Sequence, residues 1–319
     1  MWLALKRHWM LPGIAVVCFW GYRYPATGEL LSRHLAPILA FLMFLLGTGI
    51  GFRRFRTRIN AHRQIIFSMF FCYLAAPLVA FGIGKLFFTE HPTVYTGLIL
   101  IGTTSTTLST CVILTRLAGG DEALALWLSV FSSLLCTFIS PVLIYLFLDA
   151  STEVPVGLMV KRLIFVLFIP LSAGMLLRAL LGEKRMTPVG PILTRSCTIF
   201  ILAVVMVSVA KSRNLLAGSQ SLPIILAVAG HHLVMLLTVR LANIFSGFPK
   251  RDKIATLFCS SEKTLQIPAY LAIEILRTPE AALAPVLHHV FQLVVDSLIV
   301  SYYSSSAADN ETSPEEPGA

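Results

Sequence analysis

Charge is what this chain has least of. Asp, Glu, Lys and Arg make up 13% of its 319 residues, about half the ~25% usual in a soluble domain. Hydrophobic residues make up 56%, and mean hydropathy is +0.80. These figures exclude a water-soluble domain, and no loop is long enough to hold one. Several enzyme signatures are missing as well. There is no GxxxxGK[ST] loop, which argues against primary pumping by this chain. A membrane hydrolase would need a GxSxD, HExxH or paired-glutamate arrangement, and none is present. The 6 cysteines (Cys18, Cys72, Cys111, Cys136, Cys197 and Cys259) show neither CxxC nor metal-ligand spacing. They read as small buried hydrophobes, not as a disulfide framework or a metal site. No cofactor is expected.

What the chain does have is a succession of long apolar segments, roughly 9–24, 34–52, 64–88, 94–117, 123–148, 158–181, 193–212, 222–247, 251–276 and 282–303. Most reach the ~20 residues a spanning helix needs. The expected class is an all-α polytopic membrane protein with ten transmembrane helices. The first segment is the weakest, shortened by Pro12-Gly13, Arg23 and Pro25. Lys6-Arg7 before it has the form of a signal peptide, but no clean small-residue cleavage site follows.

The formal net charge of +9 is not a nucleic-acid footprint, because the basic residues follow the topology. Of the 25 Lys and Arg, 16 fall in loops on the side of the N-terminus, 8 fall on the opposite side, and Lys263 is left inside. Cytoplasmic loops carry the excess, so both termini are expected in the cytoplasm of a cell inner or plasma membrane. The expected partners are a lipid bilayer and a small solute, with no nucleic acid. The segment 304–319 is acidic and rich in Pro and Ser, and reads as a disordered tail.

Two segments carry polar blocks. In the fourth, seven of the eight residues Thr103-Thr104-Ser105-Thr106-Thr107-Leu108-Ser109-Thr110 are Ser or Thr. In the ninth, Ser260-Ser261-Glu262-Lys263-Thr264-Leu265-Gln266 precedes Pro268. One or two hydroxyls can bond back to the i−4 carbonyl of an ordinary helix. Blocks of this size predict helices that unwind at mid-membrane, which is tolerated only where protein or a water-filled cavity satisfies the backbone. The two blocks lie five segments apart. Five is odd, so a repeated five-helix unit would enter the membrane the second time from the opposite face. The chain then divides into residues 1–150 and an inverted repeat, 151–303, with broken helices four and nine crossing. Paired interruptions of this kind point to the binding site of a secondary transporter.

The candidate solute- or ion-binding residues follow from this. Thr106, Thr107, Ser109 and Thr110 offer hydroxyls on one side; Ser260, Ser261, Thr264 and Gln266 offer polar groups on the other. Glu262 and Lys263 are intramembrane charges and functional candidates by default. Neighbours on a regular helix point ~100° apart, so each must face protein or water. A salt-bridged structural pair is the plain alternative. Lys263 is read as a built-in cation and charge partner, Glu262 as the group coupled to protons. His289 and Gln292, one turn apart, are expected to hydrogen-bond around the site. Asp296 extends that stripe or relays protons. His231-His232 and His288-His289 are poor zinc sites, because adjacent residues splay.

At this point the motifs resemble a family. Residues 112–122, Val-Ile-Leu-Thr-Arg-Leu-Ala-Gly-Gly-Asp-Glu, are similar to the end of the fourth helix in the bile acid/sodium symporter superfamily (solute carrier family 10), as is the Ser-rich segment 129–141. Phe258-Cys259-Ser260-Ser261-Glu262-Lys263-Thr264-Leu265 and His289-Val290-Phe291-Gln292 resemble one branch of it. That branch holds the animal protein sodium/bile acid cotransporter 7 and many bacterial proteins. The resemblance implies ten helices, a panel (segments 1, 2, 6 and 7) and a core (3–5 and 8–10). It adds Ser129, Ser132 and Ser133 to the candidate ligands, and the half-helix N-termini at the crossing, with their N–H groups and positive dipole ends, point to an organic anion as the solute. Sodium-coupled members carry Glu-x-Gly-x-Gln-Asn in segment nine. Here Phe258, Glu262 and Lys263 fall on its Glu, Gln and Asn. Their Ser-Asn of segment four falls near Cys111-Val112, and the branch's usual Pro in that break is Ser105. Coupling to H⁺ or to Na⁺ is therefore open, with the sodium ligands altered. An auxin-efflux-type carrier, or a regulatory protein on this fold that no longer transports, are the alternatives.

Overall fold

The computed structural model describes residues 10–51, 57–58, 60–148, 154–186, 188–217 and 221–312. Lys6-Arg7, the basic residues Arg53, Arg54 and Arg56, the link residues 149–153 and the tail residues 313–319 lie outside the described residues. No strand occurs among the described residues. We number the main helices α1 (Met10–Arg23), α2 (Pro25–Ser32), α3 (Leu35–Gly49), α4 (His62–Phe87), α5 (Pro92–Thr103), α6 (Thr110–Leu117), α7 (Glu122–Phe147), α8 (Val156–Leu181), α9 (Gly190–Lys211), α10 (Ser221–Phe245), α11 (Lys250–Ser261), α12 (266–275) and α13 (Leu283–Thr312).

Among the described residues, 6 helices are long and apolar enough to cross a membrane, or up to 7 if the bent pair α2–α3 is one span. The protein is thus a polytopic integral membrane protein. The uninterrupted spans, α4, α7, α8, α9, α10 and α13, coincide with six of the apolar segments read from the sequence. Of the other four segments, the first and second are single helices too short to qualify, α1 and α3, and the fourth and ninth are divided. Pro25 explains the first: the residue before a proline is pushed out of helical geometry, and Tyr24 sits at φ −127°, ψ 69°. Pro25 then starts α2 at a position where its missing N–H is harmless. A 74° bend separates α2 from α3. The fourth and ninth segments are each split into two short helices. The last helix runs to Thr312, into the segment expected to be a disordered tail; no Gly or Pro stops it before Pro314.

The helices form two groups. In one, α1 and α2 pack on α9, and α3 packs on α8 and α9. Glycine sets the spacing. A Cβ on Gly47 would lie 2.3 Å from the Leu171 carbonyl oxygen, and one on Gly174 2.2 Å from that of Phe44. Backbones that close exclude any side chain. The other group holds α4–α7 and α10–α13. There α7 packs on α11, α13 on α5, and α10 on α11 and α13. The groups meet in two apolar clusters. One includes Leu42 and Leu45 of α3, Ile201 and Val205 of α9, Leu265 between α11 and α12, and Val286 and Leu293 of α13. The other joins Leu39 of α3, Leu171 of α8 and Val204 of α9 to Ile99 of α5, Val130 of α7 and Ile267 of α12.

Three π-turns occur among the described residues, and the one in α4 matters below. In α4 the turn Phe71–Ala75 shifts the backbone register, so Ala76 N–H bonds to the Phe71 carbonyl. A second π-turn, Leu271–Ile275, forms the end of α12.

Candidate functional site

The break in the fourth segment starts at a helix end held by its own side chains. Thr103 and Thr104 donate hydroxyls back to the Ile99 and Leu100 carbonyls, at 2.7 and 2.9 Å. These two hydroxyls therefore behave as they do in an ordinary helix. From Thr104 (ψ 169°) the chain is extended, and α6 begins only at Thr110. The break in the ninth segment starts later than the polar block. Ser260 and Ser261 remain in α11, and the Ser261 hydroxyl bonds to the Leu257 carbonyl at 2.8 Å. The chain departs at Glu262 (ψ 147°) and resumes helix at Gln266.

The two breaks touch. Thr264 N–H donates to the Ser105 carbonyl at 2.9 Å. Gln292 of α13 acts as a splint for the ninth segment: its amide oxygen accepts from Lys263 N–H and its NH₂ donates to the Lys263 carbonyl, both at 3.0 Å. The same NH₂ lies 3.0 Å from His289 Nδ1. Thr106 N–H reaches the Ser132 hydroxyl at 3.4 Å, and Tyr73 O–H donates to the Ser132 carbonyl at 2.5 Å. Irregular backbone is thus satisfied by protein, as a membrane interior demands.

Glu262 and Lys263 point apart and do not bridge each other. The Glu262 carboxylate accepts from the hydroxyls of Thr107 (2.6 Å) and Thr110 (2.7 Å) at the start of α6. Its other oxygen has no hydrogen-bond partner among the described residues. The Lys263 ammonium donates to the carbonyls of Cys72 (2.8 Å), Gly102 (3.1 Å) and Thr104 (3.0 Å), at the end of α5. Both side chains are buried. Helix N-termini carry partial positive charge and C-termini partial negative charge. The dipeptide therefore answers both cut ends of the fourth segment: the carboxylate faces α6's N-terminus, and the ammonium faces α5's C-terminus.

A narrow cleft borders the crossing. Ser105–Thr110, Ser133, Thr264, Gln266, Ile267 and His289 form one wall, and Met43, Leu46 and Ile201 of the other group form the second. Its volume is ≈ 10 Å³, room for about one water. Of the sequence candidates, Thr106, Thr107, Ser109, Thr110, Ser133, Thr264, Gln266 and His289 line it. Glu262, Lys263 and Gln292 lie behind it, and Ser129, Ser132, Ser260 and Ser261 are buried deeper in the core. Ser129 donates to the Ala125 carbonyl at 2.6 Å. The Ser260 hydroxyl has no hydrogen-bond partner among the described residues. A wider groove, ≈ 470 Å³, lies on the face of α3 and α8 beside Lys161 and Arg162. No candidate residue reaches it.

Sequence reasoning missed three groups. Cys72 and Tyr73 hold the crossing from α4; the signal was Pro77, considered below. His232 of α10 bonds Asp296 of α13 at 3.1 Å, while His231 lies 3.4 Å from His288 and 3.2 Å from the Ala76 carbonyl. Each histidine of a neighbouring pair thus finds its own partner. Arg58 bonds Asp121 and lies 3.6 Å from Asp252, which Gln64 also reaches at 2.8 Å. These contacts tie the loop before α4 to the starts of α7 and α11. Among the described residues no group of His, Cys, Asp and Glu could hold a metal ion.

Comparison with known proteins places the chain. It is 31% identical over 179 residues to sodium/bile acid cotransporter 7 of Mus musculus, covering 54% of this chain and 52% of that one. It is 30% identical over 234 residues to an uncharacterised protein of Pseudomonas aeruginosa, covering 68% of each. It is 27% identical over 210 residues to an uncharacterised sodium-dependent transporter of Bacillus subtilis, covering 65% of this chain and 64% of that one. The chain spans about half the length of the animal relatives it matches. The model of the SBF-like CPA transporter family matches residues 8–305. With nearly the whole chain matched, the protein belongs to this family, within the bile acid/sodium symporter superfamily branch that its fourth, ninth and tenth segments resemble.

Proposed function

We propose that this protein is a secondary active transporter of a small organic anion. It works by alternating access, the α4–α7 and α10–α13 core moving against the α1–α3, α8 and α9 panel. The observation that carries this reading is the crossing itself, two broken helices whose polar breaks meet at a cleft walled by both groups. At ≈ 10 Å³ the cleft admits no solute until the groups part, which is what alternating access requires. Thr106, Thr107, Ser109, Thr110, Thr264 and Gln266 take the solute, with His289 and Ser133 at its edges. Ser129, Ser132, Ser260, Ser261 and Gln292 shape the breaks from behind.

The helices make ten spans in two inverted five-helix repeats, 1–150 and 151–303. Matched contacts support this. Exchanging segments by five turns the contact of the first with the seventh (α1–α2 on α9) into that of the sixth with the second (α8 on α3). It likewise turns the packing of α7 on α11 into that of α13 on α5. Both termini then face the cytoplasm, by the loop charges.

Coupling goes through Glu262. Its carboxylate holds the hydroxyls of Thr107 and Thr110, which an incoming carboxylate would also seek. Protonating Glu262 frees them, so solute and proton move together. The test is uptake of a panel of labelled carboxylates into proteoliposomes, under a proton gradient alone and a sodium gradient alone. We expect proton-driven uptake, and Thr107→Leu or Ser109→Leu to impair it more than they lower thermal stability. Sodium-driven uptake that ignores pH would overturn the coupling, and no flux of any carboxylate would overturn the solute class.

A further inference from the structure

We propose that the carbonyl oxygens of Cys72, Gly102 and Thr104 form a binding site for a small dehydrated monovalent cation, which Lys263 fills with its own ammonium group. Each of these three carbonyls has lost its usual helical partner. In a regular helix the Cys72 carbonyl would accept from Ala76 N–H, but the π-turn sends that N–H to Phe71. In the π register its partner would be residue 77, which is a proline and has no N–H. The Gly102 carbonyl would accept from Thr106 N–H, which turns instead to Ser132. Thr104 lies in the extended break itself. Two unrelated breaks of helix, one in α4 and one after α5, thus aim three orphaned carbonyls at one point.

The occupant suits the seat. A lysine ammonium has three donors and no acceptor, and here each donor has one carbonyl, at 2.8–3.1 Å. The side chain is 1% exposed. Among the described residues no carboxylate forms an ion pair with it. A buried charge without a counter-ion survives only on strong compensating dipoles, and the end of α5 supplies them. Carbonyl rings of this kind replace a cation's hydration shell in channels, and unwound carbonyls hold the coupling cation in transporters. Here that position is filled by a tethered ammonium. The site adjoins the proposed solute path, but its test reads cation binding with no flux in it. Failure of either leaves the other standing.

Purified Lys263→Ala and Lys263→Met variants are melted in detergent in ammonium, potassium, sodium and choline chloride at equal ionic strength. Wild type is expected to melt at one temperature in all four salts, because its seat is taken. Both variants should melt lower in choline. Lys263→Ala leaves the seat open, so ammonium or potassium at about ten times its Kd should raise its melting point by roughly 3–6 °C over choline. Lys263→Met fills the space with a thioether and should show no such rise. A Lys263→Ser variant, purified throughout in ammonium chloride, covers the case in which Lys263→Ala does not fold. An open seat with no cation preference, an equal rise in Lys263→Met, a sodium-specific rise in wild type, or loss of fold of Lys263→Ala and Lys263→Ser in every salt would each overturn the proposal.

Discussion

Replacing Gln292 by Met tests whether a single side chain holds the ninth segment's break in place. The substitution keeps length and approximate volume, so packing changes little. It removes both bonds to the Lys263 backbone, each 3.0 Å, and the contact with His289 Nδ1. Lys263 N–H and C=O are then left unpaired in a site from which water is excluded. An unsatisfied buried group costs about 1–3 kcal/mol, so two cost roughly 2–6 kcal/mol. At ~2–4 °C per kcal/mol for domains of a few hundred residues, the melting point in detergent should fall by roughly 4–24 °C. Leu298→Met on the exposed side of the same helix serves as control and should change it by no more than about 1 °C, as surface substitutions do. Gln292→Glu keeps an acceptor for Lys263 N–H and should fall between the two. Hydrogen exchange at the Lys263 amide should quicken in Gln292→Met and not in the control. If Gln292→Met melts with the control, the break is held by packing alone and the reasoning fails.

Two other outcomes follow from the fold. Gly47→Ala and Gly174→Ala push a methyl into backbone at 2.3 and 2.2 Å and should each destabilise by about 1–3 kcal/mol. Gly49→Ala, with nothing within 4 Å, should be close to neutral in the same melting assay. Reporter fusions should place residues 57–63 and the chain end beyond 303 on the cytoplasmic face and Lys161-Arg162 on the other. Finding the first two on opposite faces would refute the inverted repeat.

The breaks were legible in the sequence because hydroxyl and charged side chains have few uses inside a membrane other than satisfying irregular backbone. Their edges were not. Ser260 and Ser261 belong to the polar block yet remain helical, since a serine hydroxyl serves a helix carbonyl as readily as a break. Glu262 and Lys263 were legible as charges that must face protein. Their partners were not, because the choice between a mutual salt bridge and separate partners depends on what the extended break presents to each. The seat of Lys263 depends on Pro77, five residues beyond Cys72 in another helix, and on a π-turn with no compositional mark. The histidine contacts were hidden for a similar reason: adjacency in sequence sends His231 and His232 to different neighbours. The bend after the first segment was half visible, as Pro25 marked the kink but nothing marked the 74° turn that follows α2.

The paired charges at the cut helix ends have an electrical consequence. With Glu262 ionised, the dipeptide carries no net charge, and a core shifting through the membrane field does no work through it. In the proposed cycle a proton on Glu262 would leave the Lys263 charge uncompensated, worth ~2.3 kcal/mol for each 100 mV the core crosses, until the bound carboxylate brings its own negative charge. A cytoplasm-negative potential would therefore act only on a protonated core that has not taken up its solute, and would leave the ionised core indifferent. The loaded stroke of the proposed symport would then be electroneutral, so the proton and solute gradients, and not the membrane voltage, would set its direction.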